Sequence, residues 1–249
     1  MYKLSFILLC FILPNLSFAQ KNKKVNYTFS NLSTIEVDGY LTEWGDALHT
    51  AYGDLFRFGV NEHNGELVVA IEVEDEQLLH EVFRSGFFIN ISYDDKKKDG
   101  ARFYFPYWDR ERKRALINNE ELVPENIADE FLNNVNGYYV MGFGKVRDGL
   151  LTLDNDYNIR AEVKYIDKKM LRYEARIPLD LVGVKSNKIA VQVGVSTQFM
   201  LMKKAQQNSN VRNNTSYYQF MRGRPMVQNT LKNPFKGDTD VWIIDEFKK

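Results

Sequence analysis

The side chains best suited to chemistry in this sequence are aromatic rings that stand beside charged groups. In the segment 104–110, Tyr107 and Trp108 are followed closely by Arg110, where a predicted strand runs into a charged loop. A ring in that position can stack on the flat face of a ligand, and the neighbouring charged groups can hydrogen-bond its polar rim. The alternative is a ring that packs on its own loop, and the sequence leaves both interpretations open.

Signatures of the common enzyme classes are absent from the sequence. It contains no GxSxG or HExxH motif, no P-loop and no Rossmann glycine fingerprint. Its three histidines have no metal-ligand spacing, and its one cysteine, Cys10, lies in an apolar leader. A glycosidase needs only two carboxylates at a set separation. The acidic residues leave that chemistry open but single out no pair.

The overall composition favours a folded β protein. Lys plus Arg and Asp plus Glu both number 33, so the net charge gives no bulk attraction to nucleic acid or an anionic membrane. The apolar content of 44% is that of an ordinary globular chain. The aromatic content of 14% favours strands and also supplies surfaces for stacking.

The N-terminus is typical of a secretory signal peptide. Lys3 supplies a positive charge, residues 4–13 form a short apolar run, Pro14 breaks it, and small residues lead to an expected cleavage after Ala19. The sequence therefore predicts a signal peptide over 1–19, a flexible lead-in over 20–33, and a secreted or periplasmic protein. No later segment is apolar enough for a membrane span.

Apolar residues alternate with polar ones in several segments, which predicts half-buried strands. The clearest segments are 67–73, 159–165, 171–177 and 189–195, and further strands are expected at 34–38, 55–60, 87–93, 101–107, 138–144 and 240–245. The pairs Asn64-Gly65 and Asp99-Gly100 indicate hairpin turns. One helix is expected over 120–135 and a polar loop over 203–216. The predicted fold is all-β, a single antiparallel β-sandwich over 34–249 with one short helical insertion.

Motifs in a characteristic order carry a resemblance to a known family. The segment 35–44 reads IEVDGYLTEW, 67–75 reads LVVAIEVED, 88–94 reads FINISYD, 173–179 reads YEARIPL, and 189–195 reads IAVQVGV. This series resembles carbohydrate-binding module family 9 and the wider group of DOMON-like secreted domains. The resemblance covers most of 34–245, and the segment 95–170 is longer than in a minimal module.

The resemblance implies a β-sandwich that binds sugars through two aromatic side chains on loops. The first loop corresponds to 76–86, which has no Trp and offers His80, Phe83 and Arg84. The nearest counterparts of the second aromatic are Tyr217 and Tyr218. The family also implies that Trp44 is a structural plug. Calcium often has a structural role in such modules. The resemblance therefore allows a structural calcium and implies no required cofactor.

Three functions follow from these observations. The first is a secreted, non-catalytic carbohydrate-binding protein, accessory to polysaccharide degradation, whose partner is a glycan and not a nucleic acid. The second is a hydrolase or lyase that acts on polysaccharide. The third is an envelope scaffold protein that has lost the sugar site, which the missing Trp in 76–86 favours.

Overall fold

The computed structural model describes residues 26–107, 124–133, 135–212 and 231–246. Within these ranges the chain forms eleven β-strands and three α-helices. The strands are β1 (His49–Thr50), β2 (Phe56–His63), β3 (Glu66–Val73), β4 (Phe87–Ile91), β5 (Ala101–Phe105), β6 (Gly137–Met141), β7 (Gly149–Thr152), β8 (Arg160–Ile166), β9 (Met170–Pro178), β10 (Lys188–Val195) and β11 (Asp240–Glu246). The helices are α1 (Glu76–Ser85), α2 (Pro124–Asn133) and α3 (Gln198–Arg212).

The strands form two sheets in which neighbouring strands are antiparallel. The first sheet has the order β1-β2-β3-β9-β8, and the second has the order β11-β10-β4-β5-β6-β7. Every pairing within them is antiparallel. The predicted all-β antiparallel sandwich is confirmed, and α2 lies within the segment 120–135 where a helix was expected.

The core lies between the two sheets and is built from the inward residue of each alternating pair. Leu67, Val69, Ile71 and Val73 of β3 and Ile189, Val191, Val193 and Val195 of β10 are all buried in it, as their alternation predicts. Rings fill its centre, where Tyr173 of β9 stacks on Phe87 of β4 with ring centroids 4.5 Å apart. The hydrophobic burial of these faces holds the two sheets together.

The outer face of the first sheet is covered by the segment that precedes β1. Trp44 is 1% exposed and packs with Ile35 and Leu41 on Val68 and Ala70 of β3. The prediction that β3 is only half buried is therefore wrong, because this cover buries its outward residues as well. Burial of Trp44 fits its expected role as a structural plug.

Glu174 of β9 fixes this cover to the sheet. Its side chain is buried and accepts hydrogen bonds from Trp44 Nε1 (2.7 Å), Gly39 N (2.8 Å) and Asp38 N (3.1 Å). Residues 34–38 do not form the predicted strand. At the end of that segment, the backbone N–H of Asp38 reaches this carboxylate instead of a neighbouring strand. The two family-like motifs thus meet at one buried carboxylate.

The described part of the predicted flexible lead-in, 26–33, is packed against the sandwich. Phe29 is buried, and its N–H donates to Asp245 of β11 at 2.7 Å. Asn61 of β2 is also buried and binds both the N–H and the carbonyl of Leu32. These contacts attach the segment to the sandwich, since a side-chain amide takes the place of a neighbouring strand as hydrogen-bond partner.

Two segments that were expected to be loops are helical. Residues 76–85 form α1, whose first turn is capped by Asp75 accepting from Leu78 N at 3.0 Å. Its buried residues, Leu78, Leu79, Val82 and Phe83, share one face. The polar segment 203–216 was predicted as a loop, but 203–212 belong to α3. That helix has no clear apolar stripe, so the spacing of its apolar residues did not indicate a helix.

The two turn predictions had different outcomes. Asn64 and Gly65 join β2 to β3 with φ of 54° and 79°, the left-handed pair that a two-residue hairpin requires. Asp99 and Gly100 instead end a longer connection, 92–100, between β4 and β5. These two strands do pair as a hairpin, but the turn is not the predicted two-residue type.

Candidate functional site

The outer face of the second sheet carries a row of aromatic rings. Phe88 of β4, Tyr104 of β5 and Tyr139 of β6 lie directly opposite one another across the three strands. Their ring centroids are 6.4 Å and 6.3 Å apart in turn. Tyr107, just beyond β5, extends the row by stacking on Tyr139 at 5.8 Å and 16°. We call these four residues the ring row. The three tyrosines are half-buried and Phe88 is buried.

A row of polar side chains runs beside the ring row, two residues away along the strands. Gln192 of β10, Asn90 of β4 and Arg102 of β5 are opposite one another in register, and we call them the polar row. The Asn90 amide donates to Gln192 Oε1 at 3.2 Å, and Gln192 Nε2 donates to Asp240 Oδ2 at 2.6 Å. Asn90 Oδ1 accepts from Gly100 N at 2.8 Å. These bonds fix the orientation of both amides.

A groove with a volume of about 530 Å³ lies over this face. Its floor includes Phe88 and Tyr104 of the ring row, the whole polar row and Asp240. Helix α3 supplies one wall through Phe199, Met200, Leu201, Lys203 and Lys204, and Asn233 and Asp238 border it from the chain that leads into β11. Tyr139 and Tyr107 continue the ring row beyond the groove.

Helix α3 is held over the groove by contacts at its first turns. The buried Thr197 caps the helix, since its Oγ1 accepts from Met200 N at 3.2 Å. The N–H of Gln198 donates to Glu81 of α1 at 2.7 Å. Lys204 lies 3.7 Å from Asp99, which belongs to the connection between β4 and β5. The wall is therefore anchored to α1 and to the second sheet.

The carboxyl group of Asp240 in the groove has a raised pKa. Burial is the main reason that its pKa is raised, and nearby Asp238 adds to the rise. The hydrogen bond from Gln192 and the positive charge of Lys203 act in the opposite direction. Asp240 can therefore accept hydrogen bonds as a carboxylate and becomes protonated more readily than an exposed aspartate.

The structure places two of the predicted site residues in different regions. Tyr107 belongs to the ring row. Arg84 is exposed in the last turn of α1 and does not line the groove. Phe83, from the same segment, is buried in the core. The other predicted residues, Trp108, Arg110, Tyr217 and Tyr218, lie outside the described residues.

Most of the groove residues were not predicted from the sequence. They include Phe88, Asn90, Arg102, Tyr104, Gln192 and Asp240, which lie on the outer face of strands that the sequence predicted. A signal was present, because β4 has Phe and Asn and β5 has Arg and Tyr at alternate positions. It becomes meaningful only when β4, β5, β6 and β10 are known to be neighbours.

A second cavity, of about 1000 Å³, lies between α1, α2 and the turn that joins β8 to β9. His80, Asp129, Lys168 and Lys169 contribute to its lining. Its Phe83 is buried and meets Tyr165 edge-on at 82°, so these two rings are packed against each other. This packing gives a stacking ligand a poorer surface than the ring row does.

Neither metal binding nor a membrane span has direct support in the described ranges. Among these residues, no group of three or more His, Cys, Asp or Glu side chains is placed to hold a metal ion. No helix in the described part of the chain is long and apolar enough to cross a membrane. Structural calcium stays a prediction from the family resemblance.

No family model matches the chain, and neither a curated protein nor a solved structure matches it. The resemblance to family 9 modules therefore stays a prediction from the sequence motifs.

Proposed function

We propose that this chain is a secreted or periplasmic, non-catalytic carbohydrate-binding protein that holds a glycan in the groove of the second sheet. The observation that carries this proposal is the ring row lying beside the polar row on one sheet face. The predicted signal peptide over 1–19 supports the location outside the cytoplasm. A role beside enzymes that degrade polysaccharide is part of the proposal and follows from the family resemblance.

The two rows match the two kinds of surface on a sugar. A pyranose has apolar C–H faces, which can cover an aromatic ring, and a rim of hydroxyl groups that both donate and accept hydrogen bonds. Asn90 and Gln192 offer amide groups and Asp240 offers a carboxylate at the rim. Because their mutual hydrogen bonds already hold these side chains, binding requires little further ordering.

Removal of rings from the row tests the proposal. We expect Tyr104→Ala and Tyr139→Ala to weaken glycan binding by roughly tenfold or more, because Tyr104 is a stacking surface in the groove floor and Tyr139 continues that surface beyond the groove. Binding is measured first on a glycan array and then by titration calorimetry with the glycan that the array selects.

Tyr40→Ala is the matched control, since Tyr40 is 47% exposed on the cover of the first sheet, far from the second sheet's outer face. It should leave affinity unchanged. Absence of binding to every neutral and acidic glycan would reject the proposal and favour a scaffold role.

A polysaccharide hydrolase is the second candidate, and the raised pKa of Asp240 in the groove favours it. A carboxyl group that is protonated more readily than usual can serve as a general acid toward a glycosidic oxygen. Asp238 is a second carboxyl group on the same groove. Release of reducing ends from a polysaccharide panel, lost in Asp240→Asn, would support this function over simple binding.

A further inference from the structure

The charged groups of the groove are unevenly distributed. At one end, Arg102 and Lys204 share a single carboxylate, Asp99, with N–O distances of 2.9 Å and 3.7 Å. Among the described residues, that end therefore carries an excess of one positive charge. At the other end, Asp238 and Asp240 face Lys203, which leaves an excess of one negative charge.

Only some of the hydrogen-bond donors of the Arg102 guanidinium have acceptors among the described residues. Asp99 accepts from one terminal nitrogen of the guanidinium, while the Nε–H is buried and has no hydrogen-bond partner among the residues that the structure describes. The side chain as a whole is 22% exposed and lines the groove. A guanidinium can hold a carboxylate through two parallel N–H donors, and leaving a buried donor without an acceptor is unfavourable. A small turn of the group toward the groove would present Nε–H to a ligand.

The spacing between Arg102 and the ring row suits a substituent on a sugar ring. Tyr104 follows Arg102 by two residues on the same face, a separation of about 7 Å along the strand. A sugar that stacks on Tyr104 therefore has its edge near the guanidinium. Lys204 reaches the same point from α3, and its side chain is 58% exposed, so its ammonium group is accessible to a ligand.

We propose that the groove takes a saccharide that carries a carboxylate, such as a uronic acid unit, with that carboxylate held between Arg102 and Lys204. This inference rests on the proposed function and specifies its ligand class. The hydroxyl groups at the far side of the sugar then point toward Asp240. The charge at each end of the groove thus sets the direction in which the saccharide lies.

The test compares acidic glycans with matched neutral ones on the full chain. Suitable pairs are polygalacturonate and its methyl ester, alginate and its propylene glycol ester, and glucuronoxylan and unsubstituted xylan. We expect the acidic member of at least one pair to bind roughly tenfold or more tightly, and its advantage to shrink at high salt. Arg102→Gln and Lys204→Gln should each remove most of that advantage, measured as the ratio of the affinity for the acidic member to the affinity for the neutral member.

Lys145→Gln is the control, because Lys145 also pairs with an exposed aspartate, Asp180 at 2.9 Å, but lies outside the groove. Thermal melts check folding, and Lys204→Gln keeps the test decisive if Arg102→Gln is unstable.

Equal binding of both members of every pair would overturn this inference and leave the proposed function intact. Acid preference that survives both groove substitutions would overturn the assignment to Arg102 and Lys204. No binding to any glycan would overturn the proposed function and this inference together.

Discussion

Glu174 shows how a single buried carboxylate can organise two distant parts of a chain. One of its oxygens accepts from the Trp44 indole, and the other accepts from the N–H groups of Gly39 and Asp38. Burial raises the pKa of this carboxyl group, and the three hydrogen bonds oppose that rise. The group is tolerated in the interior because N–H donors replace the water that it loses.

Replacement of Glu174 by Gln should destabilise the fold by about 1–3 kcal/mol, because an amide has one acceptor oxygen where the site needs two. The amide NH2 would face an N–H donor, which leaves buried donors unpaired. Urea unfolding at neutral pH measures the change in free energy. Glu162→Gln is the matched control, since Glu162 lies opposite Glu174 on β8 but is exposed. A loss in Glu174→Gln no larger than in the control would contradict this account.

Asp240 should make glycan affinity depend on pH. Its carboxylate accepts hydroxyl hydrogen bonds, and protonation removes the charge that strengthens them. Glycan affinity should therefore be highest at pH values above the pKa of Asp240 and should fall as the pH drops through that pKa. Because burial raises the pKa, this fall should occur at a higher pH than it would for an exposed aspartate. Calorimetric titration across pH measures the step. Asp240→Asn should bind more weakly and lack the step, whereas a flat wild-type profile would show that Asp240 does not contact the ligand.

At the scale of elements, the segment that covers the first sheet behaves as part of the core although it contains no long strand. Its Trp44 lies directly on Gly59 of β2, where a Cβ atom would come within 2.4 Å of the indole ring. The absence of a side chain at Gly59 is what allows the ring to approach the sheet. The cover and the sheet are therefore matched in shape as well as joined by hydrogen bonds.

Gly59→Ala should destabilise the protein by about 1–3 kcal/mol, because the added methyl group overpacks the interface with Trp44. Gly144→Ala is the control, since the nearest atoms to an added Cβ there are 3.5 Å away, an ordinary contact. Denaturant unfolding of both variants measures the difference. Similar stabilities for the two variants would mean that the cover moves to accept the methyl group at little cost.

For the whole molecule, the two outer faces of the sandwich have different roles. The central part of the outer face of the first sheet is covered by Trp44 and its neighbours, so the residues there contribute to stability. The outer face of the second sheet carries the groove, with polar and aromatic side chains that are only partly covered. The proposed division between a stabilising face and a binding face follows from which face the N-terminal segment covers, because covered residues are not accessible to a ligand.

The sequence predicted the architecture, but it singled out few of the residues that line the groove. Strict alternation identified β3, β8, β9 and β10, and Asn64-Gly65 identified the turn between β2 and β3. The segments of β4, β5 and β6 were predicted as strands without a statement of which residues face outward, so Tyr107 was the one ring-row residue that the sequence singled out. Helix α3 was missed because its residues lack an apolar stripe.

By itself, then, the sequence determined which segments are extended, which of their residues face inward, and that a sandwich results. These properties depend on residues close together in the chain, and periodicity records them directly. Tertiary structure alone decided that Phe88, Tyr104 and Tyr139 form one row, that Gln192 meets Asn90, and that Trp44 reaches Glu174. Strand order and register bring these residues together across long stretches of chain, and such pairing depends on the packing of the whole core rather than on any local pattern.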